Sequence, residues 1–264
     1  MLEWLVFPLL GVVAGVLAGL LGVGGGLVLV AALAWLLPLM GVPDDAAMHA
    51  ALASSLASIV LTAFASARAH AARGSVLWPT VRAMVPGLLI GGWLGSWVAV
   101  RIDGDALRWI VAGYCVIAAA QLLLSRTHDV SREVSAPRGL PMTAAGVGIG
   151  ATSAVVGIGG GSMTVPLLVW RGVAPVRAVG TSSACGVAIG IASAVGFALN
   201  APAGALPAHA VGYVYLPAAI GVAIASVFAA PFGTRLAHRL HGDVLKRVFA
   251  AFLLAVAVGL ALGD

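Results

Sequence analysis

Charge is what this 264-residue chain has least of. Asp, Glu, Lys and Arg together make up 9% of it, where a soluble domain carries about a quarter. Hydrophobic residues make up 61%, and the mean hydropathy is +1.10. Such a chain reads as a lipid-facing bundle rather than a globular interior. No Asp, Glu or Lys sits centrally in any apolar stretch. Proton and metal-cation transport usually place a carboxylate within the bundle. The absence therefore disfavours a cation as cargo, favours an anion and removes an obvious proton relay.

Cysteine is almost as scarce. Cys115 and Cys185 both lie in apolar segments, with no CxxC and no His/Cys cluster. A disulfide framework and a zinc site are unsupported, and no cofactor is expected. The glycine clusters lack what nucleotide motifs need. Gly22-x-Gly24 has Leu27 at the third glycine position and no preceding strand, and no Gly-Lys-Ser/Thr follows either cluster. A basic n-region is missing before residue 5, so 5–21 is expected to be a retained helix rather than a cleaved signal. The 14 basic residues give a net charge of +5. They are spread over loops and form no stripe, which argues against nucleic acid as a partner and fits the cytoplasmic side of a bilayer.

What is present is apolar length, glycine and repetition. Apolar stretches run over 5–39, 46–67, 78–100 and 106–124, then 141–170, 175–199, 210–232 and 244–262. A membrane span needs about 20 residues. The first stretch of each half is too long for one helix, and each contains a glycine run: Gly22-Val23-Gly24-Gly25-Gly26 and Gly157-Ile158-Gly159-Gly160-Gly161. We read two helical pieces in each, 5–21 with 26–39 and 141–156 with 161–170. The 35 glycines favour close helix packing.

The repetition extends well beyond those runs. Gly11, Gly15 and Gly22 match Gly146, Gly150 and Gly157. Gly41-Val42 matches Gly172-Val173, and Ala53-Ser54-Ser55 matches Thr181-Ser182-Ser183. Pro86 is matched to Pro217, and Asp105-x-Leu107-Arg108 to Asp243-x-Leu245-Lys246. The chain divides into a first transmembrane repeat (1–124), a polar cytoplasmic linker (125–140) and a second transmembrane repeat (141–264). If each broken stretch crossed once, Lys and Arg would show no side preference. If each turns back at its glycines, the halves are inverted. Twelve basic residues then share one side and only Arg101 and Arg108 lie opposite, as the positive-inside rule expects. The expected fold is therefore an all-α polytopic membrane protein. It has two inverted-topology repeats, each a glycine-broken helical hairpin plus three transmembrane helices, with Arg-rich loops inside and both termini outside.

Broken segments at matched positions point to a transporter's substrate site. Backbone that breaks at membrane depth must be buried or line a cavity. The helix that restarts after the glycines offers free N–H groups and a positive dipole end, which favour an anion. The candidate binding residues are Gly24, Gly25 and Gly26 with Gly159, Gly160 and Gly161. The plainer alternative is a tight helix–helix turn. The hydroxyls of Ser54, Ser55, Thr181, Ser182 and Ser183 can donate to an oxyanion without burying a charge, or can simply bond neighbouring helices. Ser153, Ser162 and Thr164 are weaker candidates, because their counterparts Ala18, Leu27 and Leu29 are apolar. His49 and Arg177 are vestibule or membrane-interface residues. Gly160-Gly161-Ser162 also suggests a serine nucleophile, but the six histidines lie in loops or at stretch ends and none is an evident base.

The doubled GxGGG, each followed by an apolar run, a Gly-Val turn and a small-residue Ser/Thr motif, resembles the TauE/SafE family of sulfite and organosulfonate permeases. The second half carries the likeness in Gly157 to Pro166, Gly172-Val173 and Ala178 to Ser183. The first half carries it in Gly22 to Gly26 and His49 to Ser55. Departures are Ala31 where the second copy has Pro166, and Ala53 where it has Thr181. The resemblance implies a non-enzymatic, multi-pass permease of the bacterial inner membrane whose partners are the bilayer and a small sulfur-containing anion. Members differ in substrate and direction, so it fixes neither. A passive anion channel, an intramembrane serine hydrolase and a subunit of a larger complex are the rival readings.

Overall fold

The structure is a computed structural model that describes residues 3–21, 25–124, 136–206, 209–237 and 242–262. Ten helices fill it. The first half holds α1 (Glu3–Leu21), α2 (Gly26–Leu39), α3 (Asp44–Ala72), α4 (Trp78–Ala99) and α5 (Gly104–Leu124). The second holds α6 (Leu140–Val156), α7 (Gly161–Trp170), α8 (Pro175–Asn200), α9 (Leu216–Ala237) and α10 (Gly242–Leu262). A short antiparallel ribbon, β1 (Ala210–Val211) with β2 (Val214–Tyr215), leads into α9. The all-helical polytopic reading is borne out, and the two broken stretches divide where the glycines stand. Among the described residues, α3, α4, α5 and α8 are long and apolar enough to cross a membrane, and shorter apolar helices accompany them.

Local chemistry sets these boundaries. Pro79, Pro141, Pro175 and Pro217 stand in the first turns of α4, α6, α8 and α9, where a missing N–H costs nothing and the fixed φ suits a helix. Gly41 and Gly172 end α2 and α7 with φ +86° and +83°. At both ends the glycine N–H bonds the carbonyl three residues back, and the next valine N–H bonds the one five back. This is the Schellman geometry, and it explains why Gly-Val recurs at these two places. Pro217 has Pro79 as its structural counterpart, because each is the second residue of its helix. Pro86 lies within α4, so the sequence match of Pro86 to Pro217 does not hold in the fold.

The halves interlock. α1 packs along α9, with Gly11 against Val222 and Ala225 and Gly15 against Ser226 and Ala229. Both contacts advance together, so these helices run parallel. α6 packs along α4 in the same way, Gly146 against Met84 and Leu88 and Gly150 against Leu88 and Gly92. The matched glycines of the two halves thus do the same work against the opposite half, letting backbones approach where a Cβ would collide with a carbonyl. α3 and α8 run antiparallel. Ser66 meets Ser183, Ala63 meets Gly186, and Leu56 with Val60 meets Gly190. α5 packs on α10.

This arrangement separates two ends. At one lie the start of α3 with Asp44 and Asp45, the α4–α5 turn with Arg101, Asp103 and Asp105, and the ribbon before α9. Gly104 packs on Asp45 there. At the other lie Arg73, Arg82, Arg171 and Arg177, around the end of α3 and the starts of α4 and α8. Exposed tryptophans mark both ends: Trp35, Trp97 and Trp109 at the first, Trp78 and Trp170 at the second. Amphipathic rings collect at bilayer–water boundaries in this manner. Between the ends the outer surface is apolar, with Ile117, Ile220, Ile224 and Phe228 exposed.

Candidate functional site

The two glycine breaks meet at the crossing of α3 and α8. A Cβ on Gly26 would lie 2.8 Å from the Gly157 carbonyl oxygen and 3.1 Å from the Ile59 side chain. A Cβ on Gly159 would lie 3.0 Å from Ile59, and one on Gly186 of α8 would lie 3.0 Å from the Gly159 carbonyl. Ile59 is thus wedged between the breaks of both halves. Close backbone approach, and not only conformational freedom, is what demands glycine at Gly26 and Gly186.

Each broken stretch turns back on itself. α1 advances from Phe7, which contacts Tyr215 edge-on, to Ala14, which packs on Gly25. α2 then returns to the end where α3 starts. In the second half Gly160 packs beside Ile149 and Ser153 of α6, and α7 returns to the start of α8. By the helical rise, α2 is about 21 Å long and α7 about 15 Å. Each is shorter than the roughly 30 Å hydrocarbon core, so both helices begin deep in the bundle.

The second break is built from left-handed glycines. Gly157 (φ +76°) caps α6, and Gly160 (φ +74°) is the N-cap of α7. Gly25, at the same place before α2, has φ −61°, so the copies are not conformationally identical. Gly160 O accepts from Met163 N–H at 3.1 Å and Thr164 N–H at 2.8 Å. The N–H groups of Gly161 and Ser162 have no acceptor among the described residues. Gly24 lies outside the described residues.

The hydroxyls fall into distinct roles. Ser55 donates to Gly157 O (3.0 Å) and Gly26 O (3.2 Å), tying both breaks to α3. Ser54 accepts the N–H of Tyr215 (3.0 Å), just before α9, and Thr181 accepts the N–H of Leu77 (3.0 Å), just before α4. These are mirror-related caps, so the structural counterpart of Ser54 is Thr181, one position from the sequence match. Thr181 also donates to Arg177 O at 2.7 Å. Ser183 donates to Val179 O and pairs with Ser66 across the α3–α8 crossing. Ser182 is buried, with no hydrogen-bond partner among the described residues.

His49 and Arg177 do not share a site. His49 is buried, stacks on Tyr213 with ring centroids 4.8 Å apart, and donates from Nε2 to Ile102 O at 3.0 Å. Arg177 is exposed at the opposite end. Ser162, the residue a hydrolase would use, pairs with the Tyr114 hydroxyl at 2.5 Å. Tyr114, Ser66 and Ser226 were absent from the sequence-derived site. Tyr114 carried a usable signal, as the one tyrosine in the middle of an apolar stretch.

Comparison with known proteins decides the family. The profile described as "Sulfite exporter TauE/SafE" matches residues 7–260. The chain belongs to the TauE/SafE family. A probable membrane transporter protein of Haemophilus influenzae is 36% identical over 257 residues, covering 96% of each chain. Probable membrane transporter proteins of Xylella fastidiosa (strain Temecula1; 29% identical, covering 94% of this chain and 91% of the other) and Methanocaldococcus jannaschii (24%, covering 94% and 93%) are also similar. No solved structure matches. TauE/SafE membership and the apolar helices together make this chain a multi-pass membrane protein of a transporter family.

Proposed function

We propose that this TauE/SafE protein is a secondary transporter that moves small sulfur-containing oxyanions, sulfite or an organosulfonate, across the bacterial inner membrane by alternating access. The observation that carries the reading is the meeting of the two breaks at the α3–α8 crossing, deep in the bundle and joined by Ser55. Irregular backbone is tolerated at such depth where protein buries it or a cavity receives it. Helix N-termini there attract negative charge. The candidate cargo contacts are Gly25, Gly26, Gly159, Gly160, Gly161 and Ser182, with Ser54, Ser55, Thr181 and Ser183 holding the helices around them.

The antiparallel α3–α8 pair and the reciprocal α1–α9 and α4–α6 packing support inverted repeats, since equivalent helices of inverted halves must oppose one another. Segregation of Arg73, Arg82, Arg171 and Arg177 from Asp44 and Asp45 supports a cytoplasmic assignment for the arginine end. The test is uptake of radiolabelled sulfite into proteoliposomes, with methanesulfonate and taurine as competitors. Protein-dependent, saturable uptake is expected. Entry no faster than into empty liposomes, for sulfite and both sulfonates, overturns the cargo assignment.

A further inference from the structure

The two breaks are alike in glycine but not in what surrounds them. At the second, Ser162 opens α7 and bonds Tyr114 of α5 at 2.5 Å. Ser153, in the last turn of α6, is fully buried, and its hydroxyl has no hydrogen-bond partner among the described residues. That Oγ lies 3.4 Å from where a Cβ on Gly160, the N-cap of α7, would stand. Thr164, one turn into α7, is likewise fully buried with its hydroxyl unpartnered.

The repeat offset that pairs Gly26 with Gly161 pairs Ser153, Ser162 and Thr164 with Ala18, Leu27 and Leu29. The offset that pairs Asp105 with Asp243 pairs Tyr114 with Phe252. All four polar positions around the second break are thus apolar around the first. A buried hydroxyl without a partner loses its hydrogen bond to water and gains nothing in exchange. Two at one helix N-terminus, and none at the equivalent place in the other half, are accounted for by a ligand that needs donors on one side only.

Resting on the oxyanion reading above, and narrowing its candidate contacts to one break, we infer that the anion is held by the second break alone, at the N-terminus of α7, by the N–H groups of Gly161 and Ser162 and the hydroxyls of Ser153 and Tyr114. In this assignment Ser162 donates to the Tyr114 oxygen, which leaves the phenolic hydrogen free to point at the ligand. Every group in this set is a neutral donor. Burying a dianion costs far more than burying a monoanion where no cation offsets it, so the site favours a monoanion such as hydrogensulfite or a sulfonate over sulfate.

The experiment is calorimetric titration of the purified full-length protein in detergent with methanesulfonate, with sulfite and with sulfate. Methanesulfonate binding weakened about tenfold or more in Tyr114→Phe and in Ser153→Ala is expected, since each removes one donor to a charged acceptor. Leu27→Ala and Phe252→Leu should keep wild-type affinity, and sulfate should bind far more weakly than methanesulfonate. Melting temperatures of the same samples separate lost binding from lost folding. Wild-type affinity in both Tyr114→Phe and Ser153→Ala, or an equal loss in Leu27→Ala, overturns the one-sided site while leaving an oxyanion transporter standing. A wild-type protein that binds neither methanesulfonate nor sulfite overturns the oxyanion reading, and this inference with it.

Discussion

The Ser55 hydroxyl stands 3.0 Å from the carbonyl oxygen of Gly157, a residue 102 positions away in the other half of the chain. The same hydroxyl is 3.2 Å from Gly26 O. One hydrogen on α3 therefore serves the breaks of both halves. Because it is committed to carbonyls, Ser55 does not donate to an anion in this state.

That commitment predicts a split effect for Ser55→Ala. Two buried carbonyls lose a donor, a cost of about 1–3 kcal/mol. Thermal stability should fall and the maximal transport rate should drop, while anion affinity stays within about twofold of wild type, the scatter expected for an indirect change. A large loss of affinity at unchanged stability would place the Ser55 hydroxyl on the cargo instead.

Glycine substitutions should sort by what a Cβ would meet. Gly160→Val combines a left-handed φ of +74° with a collision against the Ile189 side chain, a strain of at least about 1–3 kcal/mol. It should abolish uptake while the protein still inserts. Gly26→Ala should do the same, because the obstructing atom is the Gly157 carbonyl and cannot rotate away. Gly113→Ala and Gly148→Ala meet nothing within 4 Å and should transport normally. Uptake and membrane yield of the four variants check the set.

A second glycine set holds the frame. A Cβ on Gly91 would collide with Val147 O, and one on Gly87 with Thr143 O, both across the α4–α6 interface. Gly91→Leu should force these helices apart. Loss of monodisperse protein in size-exclusion chromatography is the expected result, distinct from the intact but inactive Gly160→Val.

The proposed orientation predicts opposite labelling of two exposed positions. Arg73→Cys should react with a membrane-impermeant maleimide only when the cytoplasmic face is opened to it. Asp44→Cys should react in intact spheroplasts. Cys115 and Cys185 are buried and should give little background. Labelling of both new cysteines from one side would contradict the proposed orientation.

Much of the fold was legible because it is written in composition. Long apolar runs and the glycine breaks within them are local signals, and they located the helices. The register between halves was less legible. Ser54 lies ten residues into α3 from Asp44, whereas Thr181 lies six into α8 from Pro175. The difference of four approximates one helical turn of 3.6 residues. Sequence matching by similar letters aligned Ser54 with Ser182 instead, one position along. The polar set around the second break was visible residue by residue. Its asymmetry hides Ser153 and Ser162, because a repeat invites the expectation of two equal half-sites. Tyr114 was hidden for another reason: only packing brings the middle of α5 to the start of α7.

The central claim is a carrier that works around one site at the breaks, and counterflow tests it most directly. Proteoliposomes loaded with unlabelled sulfite are diluted into labelled sulfite, and internal label is followed in time. A carrier predicts transient accumulation above equilibrium, lost in Gly160→Val. Protein-dependent entry that rises smoothly to equilibrium without overshoot would contradict it and make the protein a passive anion channel.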